Sequence, residues 1–163
     1  MSARKNNFKA RSFCLFKEDN MILVSACLIG LDCKYKGGNN LTPKILELMK
    51  TEDLVPVCAE QLGGFSTPRP PAEIRIVDGK RKVFNINGED VTEGFERGAK
   101  NILDLCLKLG MKKAILKSGS PSCGYGKVGD GTFTGTKIEG NGILTQMLLD
   151  NGIEVISSDD FVE

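Results

Sequence analysis

Length, composition and charge already restrict the class of protein. The chain has 163 residues, of which 40% are hydrophobic, and its 22 basic residues nearly balance 21 acidic ones. These values are typical of one globular domain with a single core, and they argue against disorder and against a broad basic surface for nucleic acid or membrane. No apolar run approaches the roughly 20 residues that a membrane-spanning helix needs.

The counts of three residue types narrow the chemistry further. The chain contains no histidine, six cysteines and 19 glycines. The absence of histidine excludes Ser-His-Asp triads, Cys-His proteases and the zinc motifs built on histidine. Acid–base chemistry must therefore use carboxylates, lysines, cysteines, tyrosines or a bound water. The cysteines are the first candidates for a functional site.

Residues 1–20 are predicted to be a disordered N-terminal extension. The segment carries five basic residues, and its apolar stretch at 13–16 is too short for the hydrophobic region of a signal peptide. Without a secretion signal we expect a cytoplasmic protein whose cysteines are reduced thiols or metal ligands rather than disulfides. Cys14 lies in this extension and receives no role. Residues 21–163 are predicted to form one α/β domain.

From residue 21 onwards, buried strands alternate with helices. Apolar runs predict strands at 21–24, 54–57, 113–116 and 153–156, and helical spacing predicts helices at 43–50, 91–109 and 142–151. Two runs at 75–77 and 82–86 flank Asp78-Gly79 and predict a β-hairpin, while the glycine-rich segments 59–73 and 117–136 predict long loops. The alternation predicts a mostly parallel, Rossmann-like sheet with helices on both faces and a small hairpin insertion.

Three cysteines follow three of the predicted strands. They are Cys27, Cys58 and Cys123. Because the carboxyl ends of parallel strands meet at one edge of a sheet, we expect the three thiols to converge on one site. Three thiolates without histidine suit zinc or an iron–sulfur cluster. The alternative is that these cysteines are small buried hydrophobic side chains at loop starts.

The spacing leaves the kind of metal open. Structural zinc sites usually draw ligands from CxxC pairs, and this sequence has none. A [4Fe-4S] cluster held by three cysteines leaves one iron free to bind substrate as a Lewis acid. Cys33 is assigned a supporting role near the site, with a fourth ligand, a redox partner of Cys27 and an inert thiol as alternatives. Cys106, inside a predicted helix, is expected in the core.

A nucleophilic cysteine after the first strand is also a feature of low-molecular-weight phosphatases and arsenate reductases. Those enzymes need an arginine after five intervening residues, to close a phosphate loop. The corresponding position is Cys33 after Cys27, Gly64 after Cys58 and Gly129 after Cys123. The phosphatase interpretation is therefore excluded.

Several long segments resemble one bacterial family: SACLIGLDCKYKGG, VPVCAEQLGGFSTPRPPAEI, KSGSPSCGYG, DGTFTGT and NGIEVIS. This family was long labelled a domain of unknown function, and its characterised members include iron–sulfur-dependent thiouracil desulfidases. The resemblance covers about residues 21–157. It implies that Cys27, Cys58 and Cys123 hold a [4Fe-4S] cluster whose open iron takes sulfur from a thiolated nucleobase as hydrosulfide. Ala59 departs from the proline that is usual in the family.

The implied reaction needs a group that moves protons, and we assign Glu60, two residues after Cys58, to this role. The alternative is a helix-capping or surface carboxylate. Ser118 and Ser120 are expected to position substrate or water, or else to form a turn around Pro121.

Arg69 and Glu73 lie in a proline-rich segment and are assigned to substrate binding. Because proline fixes φ, this segment presents Arg69 in a defined direction. An ion pair between Arg69 and Glu73 that braces the loop is the alternative. Five glycines are expected to bring backbone N–H groups to the cluster: Gly37, Gly38, Gly63, Gly64 and Gly124.

The sequence thus predicts a [4Fe-4S]-dependent desulfidase acting on a small thiolated heterocycle such as thiouracil. Its expected partners are that small molecule and the cluster assembly machinery, with no membrane and no strong nucleic-acid signal. Two alternatives stay open: a carrier of an iron–sulfur cluster or of sulfide without turnover, and a structural zinc protein. The sequence does not predict the oligomeric state.

Overall fold

A computed structural model describes residues 21–161. Its central sheet has four parallel strands, which lie across the sheet in the order Asp53–Val57, Met21–Ser25, Lys113–Leu116 and Glu154–Ser157, and this confirms the predicted α/β class. The extension predicted at residues 1–20, with Cys14, lies outside the described residues. In chain order the elements are β1 (Met21–Ser25), α1 (Pro43–Leu48), β2 (Asp53–Val57), α2 (Ala59–Leu62), β3 (Ala72–Val77), β4 (Lys80–Asn85), α3 (Thr92–Lys108), β5 (Lys113–Leu116), β6 (Lys127–Gly129), β7 (Lys137–Glu139), α4 (Ile143–Asp150) and β8 (Glu154–Ser157).

Both faces of the central sheet are covered by helices, as predicted. Leu23 of β1 packs on the side of α3 and α4, where it joins Ile102 and Leu148 in one core cluster. Its neighbour Val24 points to the other face and packs with Ile45 of α1. Burial on both sides explains the nearly continuous apolar runs of these strands. Each fully buried Leu or Ile contributes roughly 1.5–3 kcal/mol relative to an exposed one.

Helix α3 spans the predicted segment and ends before Gly110, which has a φ of 66°. Its inward side is lined by small and apolar residues that include Ala99, Ile102 and Cys106. Cys106 is completely buried there, so its predicted place in the core is confirmed. Among residues 21–161, no helix is long and apolar enough to cross a membrane.

The order of the strands creates a crevice beside β1. The chain passes from β1 to β2 on one side and later returns to β5 on the other side of β1. Such a reversal of direction opens a crevice beyond the carboxyl ends of the two neighbouring strands. The segments that follow β1, β2 and β5 border this crevice, so the sheet topology brings distant parts of the chain together.

The predicted hairpin is confirmed as β3 and β4, which pair antiparallel. Asp78 and Gly79 form its turn with φ values of 50° and 73°. A two-residue turn with both residues at positive φ matches the twist of a hairpin, which explains the Asp-Gly sequence. The hairpin packs against α3 through a small cluster of Ile74, Val83 and Phe95.

Two segments predicted as loops contain regular structure, so those predictions were wrong in part. Residues 59–73 include the single turn α2 and the start of β3, and residues 117–136 include β6, which pairs with β7. Ala59–Leu62 has good helix formers, but the following glycine pair stops the helix after one turn. β6 and β7 have three residues each, too few for a period of two to be recognised.

Candidate active site

A cavity of about 420 Å³ lies at the carboxyl edge of the central sheet. Its size falls within the roughly 300–1,000 Å³ of small-molecule sites. Four cysteines line it: Cys27, Cys33, Cys58 and Cys123. The prediction that the thiols following β1, β2 and β5 face one site therefore agrees with the geometry.

Cys27 and Cys33 belong to the segment that follows β1. Cys27 lies in a 3-10 turn, Ala26–Ile29, and its carbonyl accepts hydrogen bonds from the backbone N–H groups of Gly30 and Asn40 at 3.3 and 2.9 Å. The backbone N–H of Cys33 donates to the carbonyl of Leu31 at 2.8 Å. Both cysteines are less than a tenth exposed.

Cys58 directly follows β2 and stands at the start of α2. The turn of α2 packs against α3 so closely that only glycine fits at the points of contact. A Cβ atom on Gly98 would lie 1.9 Å from the carbonyl oxygen of Ala59, and one on Gly63 would lie 2.2 Å from that of Gly94. The position of Cys58 is thus set by backbone packing on α3.

The three cysteines on this side of the cavity pack together. Cys27 and Cys33 belong to one buried cluster, and Cys58 packs against it. The hydrogen bond from Cys33 is the main cause that lowers the pKa of Cys27 to about 7 and that of Cys58 to about 6. The same hydrogen bonds raise the pKa of Cys33. The thiols of Cys27 and Cys58 are therefore the more acidic ones on this side of the cavity.

Cys123 lies on another wall of the cavity, in the loop that follows β5, the strand on the other side of β1 from β2. The hydroxyl of Ser120 accepts hydrogen bonds from the backbone N–H groups of Ser122 and Cys123, both at 3.1 Å. The buried hydroxyl of Thr145, on α4, donates to the carbonyl of Cys123 at 2.8 Å. Burial raises the pKa of Cys123 to about 12. This wall therefore presents a single, strongly desolvated thiol held by side-chain hydroxyls.

Glu60 connects the two walls. One carboxylate oxygen, Oε2, forms an ion pair with Nε of Arg69, and the other, Oε1, accepts a hydrogen bond from the hydroxyl of Ser122 at 3.1 Å. The side chains of Arg69 and Glu60 are only 7% and 14% exposed. The partner of Arg69 is thus Glu60, and not Glu73 as in the alternative considered from the sequence.

The remaining donors of Arg69 hold the backbone around the cysteines. Its Nη2 donates to the carbonyl of Cys33 at 2.8 Å and lies 4.0 Å from Sγ of Cys58. Its Nη1 donates to the carbonyl of Ser66 and to the hydroxyl of Thr67 at 3.1 and 3.0 Å. The guanidinium therefore fixes Cys33 relative to α2 and places a positive charge beside Cys58.

Glu73 and Ser118 line the cavity, but both also have partners within the protein. Oε2 of Glu73 accepts hydrogen bonds from the backbone N–H groups of Gly131 and Phe133 at 2.8 and 3.1 Å, which ties the loop between β6 and β7 to the hairpin. The hydroxyl of Ser118 donates to Asp159 at 2.7 Å.

Ser122 and Lys117 are among the cavity-lining residues that were not assigned from the sequence. Ser122 links Glu60 to the Cys123 loop, and its hydroxyl lies 3.7 Å from Sγ of Cys123 and 2.9 Å from the hydroxyl of Ser120. Lys117 is the first residue after β5, and its ammonium donates to Ser118 at 3.0 Å. The cysteines were selected because they follow parallel strands. Lys117 also follows such a strand, so the same criterion would have selected it.

The expected glycine contacts differ from the structure. Of the residues that the structure describes, the cavity wall includes none of Gly37, Gly38, Gly63, Gly64 and Gly124. Gly63 instead permits the contact between α2 and α3. Its role is in packing, because the glycine lies on the side of α2 that faces α3.

The arrangement of thiols fits an iron–sulfur cluster better than a single ion. Within residues 21–161, no three Cys, Asp or Glu side chains are grouped closely enough to hold one metal ion. A zinc ion needs its ligands around one point, whereas each cysteine of a [4Fe-4S] cluster binds a different iron. Cys27, Cys58 and Cys123 come from three segments and surround a common space, which suits the cluster.

The fold and the site define a class: a parallel α/β domain whose strand-end cysteines surround a small-molecule cavity. Residues 22–160 match the model of the 2-thiouracil desulfurase family, and the chain belongs to this family. The resemblance seen in the motifs is thereby confirmed.

Two relatives cover nearly the whole domain. The chain is 42% identical over 146 residues to the uncharacterized protein YbbK of Bacillus subtilis (strain 168), a match that covers 86% of this chain and 97% of YbbK. A solved structure, the [4Fe-4S]-dependent thiouracil desulfidase TudS, is similar with a TM-score of 0.79 and 40% identity, over 87% of this chain and 93% of that one.

Proposed function

We propose that this protein is a [4Fe-4S]-dependent desulfidase that removes sulfur from a small thiolated heterocycle such as thiouracil. One observation carries the proposal: Cys27, Cys58 and Cys123 face one cavity in a chain that is 40% identical to a [4Fe-4S]-dependent desulfidase. A cluster bound by three cysteines supplies an iron without a protein ligand, a thiophilic Lewis acid for the sulfur of the substrate. Cluster assembly machinery would load the site.

Glu60 is proposed as the acid–base residue. The net reaction exchanges C=S for C=O, consuming water and releasing H₂S, so both protons of the water must move to sulfur. Glu60 lines the cavity and links two of the three ligand segments, since it follows Cys58 and its Oε1 accepts a hydrogen bond from Ser122, beside Cys123. That oxygen can take a proton from the attacking water and return it to the departing sulfur. Groups of this kind contribute about 10²–10⁴ in rate.

Arg69 and Ser122 are proposed to position Glu60. The ion pair fixes Oε2, and the hydroxyl of Ser122 fixes Oε1, so the carboxylate has one orientation relative to the cavity. Ser120 acts on Glu60 indirectly, because its hydroxyl binds the backbone N–H groups of Ser122 and Cys123 and so holds their loop. Glu73 and the Ser118 hydroxyl, which line the cavity, are proposed to bind substrate. Arg69 was assigned the same role from the sequence, but its donors are engaged by Glu60 and by neighbouring loop groups, so its proposed role is positioning.

The first test is metal analysis of anaerobically purified protein. We expect about four irons and four acid-labile sulfides per chain, and their loss in each of Cys27→Ser, Cys58→Ser and Cys123→Ser. Cys106→Ser, which changes a buried cysteine away from the cavity, is the matched control for the loss of a thiol. A colourless, iron-free protein after reconstitution with ferrous iron and sulfide would contradict the proposal.

Turnover is tested next with 2-thiouracil and 4-thiouracil, by measuring sulfide release. Glu60→Gln keeps the size of the side chain and should retain the cluster while losing about 10²–10⁴ in rate. A wild-type protein that holds the cluster but releases no sulfide from either compound would favour the carrier alternative.

A further inference from the structure

We propose that Lys117 and Ser118 recognise one edge of the substrate ring. The ammonium of Lys117 donates a hydrogen bond to a ring carbonyl oxygen, and the hydroxyl oxygen of Ser118 accepts one from the ring N–H beside that carbonyl. The inference rests on the proposed function, since it takes a thiolated heterocycle as the substrate, and it adds which atoms of the ring are bound.

The backbone fixes the place of both residues in the cavity wall. Lys117 directly follows β5, and its N–H donates to the buried hydroxyl of Ser25, at the end of β1, at 3.0 Å. The N–H of Ser118 donates to the buried hydroxyl of Ser158 at 3.0 Å. Both side chains line the cavity, in the loop that also carries Cys123. A ligand in the cavity therefore meets Lys117 and Ser118 at a defined position.

The hydroxyl of Ser118 is oriented to accept a further hydrogen bond. It donates its own proton to Asp159 at 2.7 Å, and it accepts from the ammonium of Lys117 at 3.0 Å. A hydroxyl group has one donor and two acceptor lone pairs. One lone pair therefore remains, so a ligand that binds Ser118 has to offer an N–H or O–H group.

The ammonium of Lys117 keeps one donor for a ligand. It has three N–H groups, and within residues 21–161 only Ser118 accepts from it, through its carbonyl and hydroxyl oxygens, both at 3.0 Å. Lys117 is half-buried, and no carboxylate of the described residues forms an ion pair with it. A partly desolvated cation is stabilised by an electron-rich ligand atom, and a ring carbonyl oxygen is such an atom.

The spacing of donor and acceptor matches the edge of a lactam, in which N–H and C=O are neighbours. Nζ of Lys117 and Oγ of Ser118 are 3.0 Å apart. In both 2-thiouracil and 4-thiouracil, N3–H lies between the thiocarbonyl and the remaining carbonyl group. Binding that carbonyl to Lys117 and N3–H to Ser118 suits both isomers and leaves the thiocarbonyl on the other side of N3–H. The pair therefore selects rings with an unsubstituted N3.

The first part of the test measures the binding of uracil, 1-methyluracil and 3-methyluracil by titration calorimetry. The protein is reconstituted anaerobically with ferrous iron and sulfide, and the three compounds carry no sulfur to be removed. Wild type should bind uracil and 1-methyluracil about equally. It should bind 3-methyluracil about tenfold more weakly, because a methyl group replaces the N–H that Ser118 accepts. Ser118→Ala should lose this discrimination.

The second part removes the cation with Lys117→Met, which keeps the length of the side chain. A hydrogen bond from a charged donor contributes a factor of roughly 10–100 in affinity. The affinity for uracil should fall by that factor and the KM for 4-thiouracil should rise by it, with a smaller change in kcat and with wild-type iron content. Lys113→Met, at the other end of β5 and half exposed, is the matched control.

Four results would overturn the inference. Equal binding of the three uracils by wild type, or weak binding of 1-methyluracil alone, would reject the contact with N3–H. Unchanged affinity and KM in Lys117→Met would remove Lys117 from substrate binding, and loss of iron in that variant would assign its charge to the cluster. If wild type releases no sulfide from thiouracils, the proposed function itself fails. If it does, and Lys117→Met behaves like Lys113→Met, only this inference is rejected.

Discussion

The segments that carry Cys58 and Cys123 follow strands on either side of β1 and form two walls of one cavity, yet they are held in partly different ways. The Cys58 segment is positioned by close packing: α2 lies so near to α3 that a Cβ atom would not fit at Gly63 or at Gly98. The Cys123 segment also packs closely against a glycine, Gly142, but it is held in addition by hydroxyl groups, those of Ser120 and Thr145.

We therefore expect different kinds of substitution to displace the two segments. Added volume on α3 should displace Cys58 and Glu60 while leaving Cys123 in place. Loss of a hydroxyl should loosen the Cys123 loop while leaving α2 seated. The rate at which each cysteine is alkylated in iron-free protein measures its accessibility. Mass spectrometry gives this rate separately for Cys58 and for Cys123.

The largest effect is expected for Gly98→Ala. The new Cβ would lie 1.9 Å from the Ala59 carbonyl oxygen, so α2 has to shift. Alanine gains helix propensity of about 1 kcal/mol, but overpacking should cost up to about 3 kcal/mol. We expect a lower urea midpoint, faster alkylation of Cys58 and loss of bound iron. Lys100→Ala, on the exposed side of α3, is the control; equal behaviour of the two variants would refute the role of close packing.

Thr145→Val should give the next largest effect, on the other wall. It removes the completely buried hydroxyl that donates to the carbonyl of Cys123 at 2.8 Å, at nearly constant volume. An unsatisfied buried carbonyl costs about 2 kcal/mol. Cys123, but not Cys58, should be alkylated faster. Thr134→Val, at an exposed threonine, should leave both rates unchanged.

Ser120→Ala should have a smaller effect in the same direction. Two backbone N–H groups, those of Ser122 and Cys123, lose their acceptor, but the site is only partly buried and water can replace it. A loss of about 1 kcal/mol is expected, with slower turnover because Ser122 is less well placed against Glu60. Unfolding in urea and sulfide release check the two effects; unchanged turnover would remove Ser120 from the positioning network.

The smallest effect concerns the start of α3, the helix against which the Cys58 segment packs. Asp90 accepts hydrogen bonds from Thr92, which are the main cause that lowers its pKa to about 2, and it also pairs with Lys82 at 2.9 Å. Because the folded-state pKa is below the unfolded one, this contribution to stability is present above pH 4 and is lost as the pH falls towards 2.

Asp90→Asn keeps the side-chain oxygen and removes the charge. The thermal midpoint of iron-free protein should therefore fall slightly at pH 7 and match that of wild type near pH 2. Glu96→Gln, an exposed residue of the same helix, is the control. A difference that persists at pH 2 would contradict the assignment to charge.

The fold and the cysteines were predictable because their signals are local and regular. Apolar runs marked the four sheet strands, and Asp78-Gly79 marked the hairpin. Position after a strand then grouped Cys27, Cys58 and Cys123, because parallel strands share a carboxyl edge.

The contacts between segments were not predictable. Nothing in the local sequence indicates that Arg69 pairs with Glu60 instead of Glu73, since the choice depends on how α2 folds back against the loop. The same holds for Gly63, whose partner Gly94 lies on a different helix.

The arrangement of the sheet has a consequence for biosynthesis. A chain emerges from the ribosome with its N-terminus first, and β1 is completed on one side by β2 but on the other only by β5, which is made much later. Cys27 and Cys58 are therefore available before Cys123 and its supporting helix α4 exist. Stable insertion of a three-cysteine cluster has to wait for synthesis of most of the domain, so its delivery to this protein is expected to be post-translational.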